Sequence, residues 1–221
     1  MPVSSSAQLH LLPWLLGWPA PDDRTSFAAG LHAGSAVGLG LALRPTTSEL
    51  ARALPAALPA AAVGYVAQDA VERRLGKPLP TAALLAGFGV ALAVADRRAQ
   101  QGAVTPTDLA VAGAAQVVAL APGVSRAGVT LLALRARGVR REEALRTSLV
   151  MSLPITAGAA ALTVVRARRT PSLVPSLLAG VASYATARRV RPSDRLVSGS
   201  ALYRLAVAAA VAVKVSRKES T

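Results

Sequence analysis

The chain has 221 residues, of which 52% are hydrophobic and only 16% are charged, and its mean hydropathy is +0.44. In an ordinary soluble domain about a quarter of the residues are charged, so this composition favours an integral membrane protein. The chain contains no cysteine, which excludes disulfides, thiolate metal sites and cysteine nucleophiles.

The net charge is +14, from 25 Lys and Arg against 11 Asp and Glu, and such an excess can indicate nucleic acid binding. The basic residues are scattered through short connectors, however, and only 3% of the chain is aromatic. That is too little for a platform on which bases stack. The sequence therefore predicts no nucleic acid partner, and the basic connectors fit charges that flank membrane spans.

The apolar residues form six blocks that approach the ~17–25 residues of a membrane span. Two further apolar stretches are interrupted: 1–18 by three serines and Pro13, and 108–134 at Pro122-Gly123. We expect each to form two half-length helices that meet at a polar turn. Irregular backbone at membrane depth must be buried in protein or face a wet cavity, and broken segments often form sites. The predicted spans are 27–43, 53–67, 79–96, 147–165, 172–187 and 199–215.

The two interrupted stretches contain similar elements, "PVSSSA" with Ser4 and "PGVSRAG" with Ser125. A Gly- or Pro-interrupted apolar span follows each of them at nearly the same distance. Gly34 lies 30 residues after Ser4, and Pro154 lies 29 residues after Ser125. This pattern predicts an inverted repeat with a site between its halves. The predicted single membrane domain covers 1–221, with halves of about 1–96 and 97–221.

Arg126 is placed inside one of the most apolar parts of the chain, and an arginine at bilayer depth is costly unless it is solvated or paired. Gly123 and Gly128 allow backbone N–H groups to approach a ligand closely, and Ser125 and Thr130 add hydroxyl donors. A helix that begins near Ser125 directs its positive end at an anion, and guanidinium suits phosphate oxygens. We predict an anion site. The alternative is an arginine that bonds carbonyl groups at a helix break.

The run Ser4-Ser5-Ser6 has two interpretations. It could only cap the helix that follows, because serine is a common N-cap. In the functional interpretation, one hydroxyl is a nucleophile and the others bind the same phosphate. Serine needs a base or strong charge stabilisation for this role, and neither Gln8 nor His10 is a convincing base.

The sequence does not decide the roles of three further polar residues. His10 and His32 are too few for a metal cluster built from histidines, and the sequence identifies no metal-ligating residue. Arg204, in "ALYRLAV", is the second arginine inside an apolar span. His10 either lies at the membrane interface as an amphipathic side chain or acts in the site, and His32 is either a satisfied interior histidine or one that lines the site. The role of Arg204 stays open.

Five blocks of the chain follow one another in the order "PVSSSAQLHLLPWLLGW", "FAAGLHAGSAVG", "AAQVVALAPGVSRAGVT", "SLVMSLPITAGA" and "ALYRLAVAAAV". In this order they resemble the undecaprenyl-diphosphate phosphatase family of the bacitracin-resistance type. The resemblance implies an all-α polytopic protein of the bacterial inner (plasma) membrane, with about six transmembrane helices and two re-entrant helix pairs in an inverted repeat. It implies hydrolysis of undecaprenyl diphosphate to undecaprenyl phosphate and phosphate, which recycles the lipid carrier of peptidoglycan synthesis, with help from a divalent cation (Mg or Ca).

The same resemblance assigns roles to individual residues. The PG-x-SR-x-x-x-T pattern at 122–130 and the serine run are the motifs that carry them. The implied partners are the lipid diphosphate substrate and the membrane, with a homodimer left open. The catalytic residues would be Ser5 and Arg126, and the substrate-binding residues Ser4, Ser6, Gly123, Ser125 and Thr130.

The chain departs from the family pattern in two places. Paired glutamates precede the serine element in the family, whereas this chain starts at Met1-Pro2, and Gln8 stands where the family has histidine. One hypothesis is that the protein begins upstream of Met1, which an immediate in-frame stop codon would reject. The rival is a paralogue that binds lipid phosphate but turns over poorly. Two alternatives belong to other functional classes. The first is a non-catalytic polyprenyl-phosphate transporter or flippase, and the second, which ranks last, is a structural scaffold.

Overall fold

The computed structural model describes residues 4–19, 21–97, 102–168, 170–189 and 194–219. Within them the chain is helical, with one isolated bridge between Gly102 and Val139. The elements are α1 (Ser5–Leu16), α2 (Arg24–Leu43), α3 (Thr47–Leu75), α4 (Pro78–Asp96), α5 (Pro106–Ala115), a 3₁₀ helix (Gln116–Leu120), α6 (Arg126–Ala136), α7 (Arg141–Ala167), α8 (Leu173–Arg189) and α9 (Asp194–Glu219).

Local sequence signals explain where several helices begin. At the start of α5, Thr105 and Asp108 form a reciprocal capping box, in which the N–H of Thr105 donates to Asp108 Oδ2 at 2.9 Å. Pro106 occupies the first helical position, where no N–H is needed. Asp23 caps α2 by accepting a hydrogen bond from the N–H of Ser26 at 3.0 Å.

Within the described residues, five helices are long and apolar enough to cross a membrane. Each overlaps one of the predicted spans. The sixth predicted span, 172–187, forms α8, which has 17 residues. The prediction of an all-α, multi-pass membrane protein is therefore confirmed. The five stretches are Thr25–Leu43, Thr47–Leu75, Pro78–Asp96, Arg141–Val165 and Val197–Arg217.

The chain divides into two compact units, each of which combines segments from both predicted halves. The first unit holds Met1–Pro19, Leu58–Ser148 and Pro192–Thr221, and the second holds Ala20–Ala57 and Leu149–Arg191.

Helix α4 forms the centre of the first unit, where α1, α6 and α9 pack against it. On one side, Leu85 belongs to a buried cluster with Leu11 of α1 and Val211 of α9. On another side, Leu84 packs against Val124, in the turn that precedes α6. The same two turns of α4 thus support both α1 and the start of α6.

Helices α5 and α6 form a hairpin in the first unit. Arg137, at the end of α6, donates a hydrogen bond to Asp108 in the first turn of α5. The start of α5 and the end of α6 therefore lie side by side at the base of the hairpin. The first arm consists of α5, with 10 residues, and the 3₁₀ helix, with 5 residues, and the second arm is α6, with 11 residues. Both arms are short for a membrane span. The helix breaks around Pro122-Gly123, as expected. These features fit a re-entrant pair, which stays a prediction.

Asp96 ties the base of this hairpin to its neighbours. Its Oδ1 accepts hydrogen bonds from Arg135 Nε at 2.7 Å and from Arg141 Nε at 2.9 Å. Arg135 also donates to the carbonyl oxygen of Val139 at 2.7 Å. Because Asp96 and Arg135 are both buried, this network fixes the end of α4 against the end of α6 and the start of α7.

The second unit is built on close contact between α2 and α8. A Cβ added to Gly34 would lie only 1.9 Å from the carbonyl oxygen of Ser176, and one on Gly38 would lie 2.1 Å from that of Gly180. Small residues at four-residue spacing let two apolar helices approach through their backbones. The spacing of Gly30, Gly34 and Gly38 therefore explains this pairing.

Helix α1 differs from the expected interruption at Pro13, because it continues as one helix past that residue. Proline removes one backbone donor, which apolar helices tolerate when neighbours satisfy the freed groups. The two serine elements nevertheless occupy equivalent positions. Ser4 directly precedes α1, and Ser125 directly precedes α6.

Candidate functional site

The site is built around the turn that leads into α6. Gly123 has φ 101°, and a Cβ there would lie 2.3 Å from the carbonyl oxygen of Thr81 on α4. Only glycine combines this conformation with so close an approach. The turn is therefore pressed onto α4, and residues 121–125 are all buried. Gly123, predicted to bind substrate, shapes the turn; contact with a ligand stays a prediction.

Ser125 caps α6 in the way that its position predicts. Its Oγ accepts a hydrogen bond from the N–H of Gly128 at 3.1 Å. A hydroxyl that accepts in this way still carries a hydrogen that it can donate. The first turn of a helix also presents N–H groups that have no acceptor within the helix. The start of α6 therefore offers an anion both hydroxyl and backbone donors.

Arg126 is the first residue of α6, and its Nη1 is shielded from solvent. Arg126 as a whole is partly buried, and its role in binding an anion stays a prediction. A cation at a helix N-terminus is unfavourable with respect to the helix dipole, so its placement there serves something other than helix stability. A bound anion would reverse that balance.

Arg204 brings a guanidinium to the first turn of α6. It is on α9 with 0% of its surface exposed, and its chain crosses α4 at Gly89, where an added Cβ would lie 3.0 Å from Arg204 Cδ. The guanidinium reaches the first turn of α6: Nη2 lies 3.0 Å from the position that a Cβ on Gly128 would take. The structure thus brings Arg204 to the turn of α6 that begins with Arg126, the other arginine that the sequence places in an apolar segment.

Helix α9 also holds α1, the helix that follows the serine run. The hydroxyl of Tyr203, next to Arg204, donates to Gln8 Oε1 at 2.9 Å. Lys214 Nζ donates to the carbonyl oxygens of Trp14 and Leu15 at 2.7 and 2.9 Å. Two adjacent residues of α9 therefore contact different helices: Tyr203 contacts α1, and Arg204 contacts the start of α6.

Ser4 precedes α1 by one residue and takes the left-handed conformation, with φ 61°. It makes no side-chain cap bond, so the purely capping interpretation does not hold for it. Its residue is 3% exposed, and in the described part of the chain its Oγ has no hydrogen-bond partner. A non-glycine residue in this conformation costs about 1–3 kcal/mol. Strain and an unsatisfied hydroxyl together are typical of a ligand-binding position.

Ser5 and Ser6, predicted as nucleophile and phosphate ligand, are the first two residues of α1. Their side chains lie outside what the structure describes, so both roles stay predictions.

The hydroxyl of Thr130, also predicted to bind substrate, is engaged within the protein. It donates to the carbonyl oxygen of Arg126 at 3.0 Å and lies 2.6 Å from the Oγ of Ser148 on α7. Ser148 in turn donates to the carbonyl oxygen of Ala127 at 2.7 Å. These bonds orient the first turn of α6, and direct contact with substrate stays a prediction.

The two histidines have separate surroundings. His10, on α1, has its Nε2 3.9 Å from Glu72 Oε1 of α3, and both side chains are about half exposed. His32 is partly buried on α2, in the second unit. The contact of His10 is thus with a carboxylate of α3.

The described side chains offer few ligands for a divalent cation. Among them no three His, Asp or Glu residues come together to hold a metal ion. Magnesium is often bound by one or two carboxylates and substrate phosphates, but the described site contributes cations and hydroxyls. The described residues therefore do not form a protein cage for the ion.

One buried polar group was absent from the sequence prediction. Gln116, the first residue of the 3₁₀ helix, is 1% exposed. It is hidden in the sequence by the apolar run around it. The signal that could have found it is a four-residue spacing: Asp108, Ala112 and Gln116 are the buried positions along one side of this arm.

Known proteins resemble the chain along most of its length. A family model described as "Bacitracin resistance protein BacA" matches residues 1–210. The undecaprenyl-diphosphatase of Geobacter metallireducens is 38% identical over 189 residues, which cover 74% of this chain and 70% of that protein. Proteins of the same name from Pelobacter propionicus and Geotalea daltonii are 38% and 36% identical, covering 72% and 84% of this chain and 67% and 78% of their own lengths.

Proposed function

The chain belongs to the bacitracin resistance protein BacA family, and on this premise we propose that it is an undecaprenyl-diphosphatase. The reaction consumes one water. The bond between the terminal phosphorus and the bridging oxygen breaks, and undecaprenyl phosphate and inorganic phosphate are released. The observation that carries the proposal is the pair of arginines at the start of α6, with Arg204 Nη2 against Gly128 and Arg126 as the first helical residue.

Phosphoryl transfer needs positioning and charge compensation more than covalent chemistry from the protein. Arg126 and Arg204 offset the negative charge of the diphosphate and of the phosphoryl group as it transfers. In a water-excluded site such fixed charges act more strongly than in water. Ser125 and the backbone of the first turn of α6 supply short-range donors, which favour an oxyanion at this end of the helix.

The attacking group follows from the serine element. Ser5 as nucleophile would form a phosphoserine that water then cleaves, and Ser4 and Ser6 would bind the same phosphate. Water as the direct nucleophile gives the same products. A radiolabelled terminal phosphate that stays on the wild-type protein after acid quenching, and is lost in Ser5→Ala, distinguishes the first route from the second.

The setting of this reaction is the bacterial plasma membrane, where the undecaprenyl carrier serves peptidoglycan synthesis. The five apolar helices support a multi-pass protein, and the site lies among apolar segments, which suits a lipid-linked headgroup. A divalent cation held mainly by the phosphates remains part of the proposal. Phosphate release in the presence of a chelator, restored by Mg²⁺ or by Ca²⁺, tests that part.

The principal experiment measures phosphate release from undecaprenyl diphosphate by the purified protein in detergent with magnesium. We expect wild type to release phosphate and Arg126→Ala to lose at least about 100-fold in kcat/KM, the scale of removing one oxyanion-stabilising group. Arg126→Lys retains the charge without the bidentate fork and should fall between the two. Arg140→Ala is the matched control, because the Arg140 side chain is exposed and its Nη2 lies 3.4 Å from Glu143 Oε2.

Two results would contradict the proposal. Wild-type protein that binds the lipid but releases no phosphate would remove the assigned activity, and transbilayer movement of the lipid without release would favour a transporter. Activity of Arg126→Ala equal to that of Arg140→Ala would remove Arg126 from the chemistry.

A further inference from the structure

Gln116 has a buried side-chain amide whose hydrogen-bonding groups are not satisfied by the described part of the protein. It is 1% exposed, and in the part of the chain that the structure describes neither Nε2 nor Oε1 has a hydrogen-bond partner. Burying an amide without hydrogen bonds costs about 1–3 kcal/mol by mutational data. Such a cost is tolerated where a ligand or an ordered water completes the bonds.

The side of the hairpin that carries Gln116 faces α6. Asp108, Ala112 and Gln116 are buried at four-residue spacing, so they lie along one stripe of α5. At its base, Asp108 is bonded to Arg137 at the end of α6. On the opposite side, Val111 and Val118 are exposed. The stripe that ends in Gln116 is therefore the interface with α6.

Helix geometry places Gln116 level with the catalytic end of α6. Eight residues separate Asp108 from Gln116, a rise of about 12 Å. The arms run antiparallel, so eight residues back from Arg137 reach Val129, in the first turn of α6. This is the turn that begins at Arg126 and carries the cap bond of Ser125.

Gln116 lies beside an apolar cluster. Ala115 and Ala119 pack into the apolar cluster formed by Val124 and Val129 with residues of α3 and α4. Gln116 points about 100° away from Ala115, but in the 3₁₀ helix it shares the direction of Ala119, three residues later. The amide therefore borders this cluster, whose apolar side chains cannot form hydrogen bonds with it.

We propose that Gln116 is a substrate-binding residue of the diphosphatase site, an inference that rests on the proposed function. Its Nε2 donates to a phosphate oxygen held at the start of α6, and its Oε1 accepts a hydrogen bond from the attacking hydroxyl or water. A neutral amide can do both at once. It orients the nucleophile without adding negative charge beside the diphosphate, as a glutamine does in some phosphate-hydrolysing enzymes.

The test compares Gln116→Met with wild type in two assays. Methionine keeps the unbranched shape without polar groups, so the ligand-free protein should melt in detergent at the wild-type temperature or above it. KM for undecaprenyl diphosphate should rise about tenfold or more, the scale of losing a hydrogen bond to a charged group. Farnesyl diphosphate, used as a binding probe, should raise the melting temperature of wild type more than that of Gln116→Met. Gln68→Leu removes an exposed glutamine of α3 and should match wild type in both assays.

The outcomes separate this proposal from the one on which it rests. Wild-type protein that is stabilised by farnesyl diphosphate but releases no phosphate would defeat the assigned activity, while loss of that stabilisation in Gln116→Met would still support the binding role. A wild-type KM and wild-type stabilisation in Gln116→Met would show that the amide holds only a buried water or nothing, and would overturn the proposal. So would an equal drop of ligand-free melting temperature and activity, which indicates a packing role.

Gln116→Glu covers the case in which Gln116→Met fails to fold. It keeps the shape and one acceptor but adds negative charge, so we expect folded protein with a KM higher than that of wild type by tenfold or more. A folded Gln116→Glu with wild-type KM would also overturn the proposal.

Discussion

The guanidinium of Arg204 lies over Gly128, with its Nη2 3.0 Å from the point where a Cβ on that glycine would be. The same Cβ would lie 2.9 Å from the Cβ of Ser125. Gly128 therefore does two things at once: it donates the cap bond to Ser125 and leaves the space in which a buried cation meets the start of α6.

Gly128→Ala tests this relationship. The added methyl must push away Arg204, Ser125 or both, so we expect kcat/KM for phosphate release to fall about tenfold or more while the helical fold persists. Alanine favours helix by about 1 kcal/mol over glycine, which works against unfolding. Circular dichroism in detergent and the phosphate assay measure the two effects.

Gly87→Ala, on α4, is the matched control, because a Cβ there meets nothing within 4 Å. Equal activities of the two alanine variants would show that the packing around Gly128 does not matter for the reaction.

The serine elements and the break at Pro122-Gly123 could be predicted from sequence because their signals are local. The position of Arg204 could not, since it depends on contacts with Gly89 and Gly128, which are distant in the sequence and become meaningful only when α4, α6 and α9 pack together. Gln116 was overlooked for a related reason. A single polar residue in an apolar run carries no clear signal in the sequence. Its meaning appears only when the capping box and the bond from Arg137 show which side of α5 is buried.

The buried network around Asp96 predicts a large effect on stability. Asp96→Asn removes the charge that faces Arg135 and Arg141 at 2.7 and 2.9 Å. Breaking a buried pair from one side leaves an uncompensated charge and costs about 3–5 kcal/mol. We expect a clear drop in melting temperature in detergent, whereas Arg140→Met, which breaks an exposed pair, should cost less than about 1 kcal/mol. Similar melting temperatures for the two variants would contradict the structural role of Asp96.

Asp108 gives the protein a predicted dependence on acid. Burial raises the pKa of this carboxyl, but hydrogen bonds from Thr105 and Arg137 outweigh burial and hold the pKa below its ordinary value of 3.8. The residue lies in the capping box at the start of α5, outside the five long apolar helices. A depressed carboxyl pKa contributes stability that is complete above the unfolded pKa and is lost as the pH falls through the folded one.

Wild type should therefore be more stable than Asp108→Asn at neutral pH, and the difference should shrink as the pH falls below 3.8. Melting temperatures of both proteins across an acidic pH series, in a detergent that does not titrate, measure this. A difference that stays constant or grows in acid would show that the charge of Asp108 is not what stabilises the hairpin.

The glycine contacts between α2 and α8 predict which single methyl group the second unit cannot accept. A Cβ on Gly34 would lie 1.9 Å from the carbonyl oxygen of Ser176, a backbone atom that cannot rotate away, so the helices must separate. Overpacking of this kind costs about 1–3 kcal/mol, more than the gain in helix propensity from alanine. Gly34→Ala should therefore lower the melting temperature, whereas Gly40→Ala, in the same helix with nothing within 4 Å, should leave it unchanged or raise it. If both variants raised it, the tight contact of α2 with α8 would be wrong, and the small residues of α2 would need another explanation.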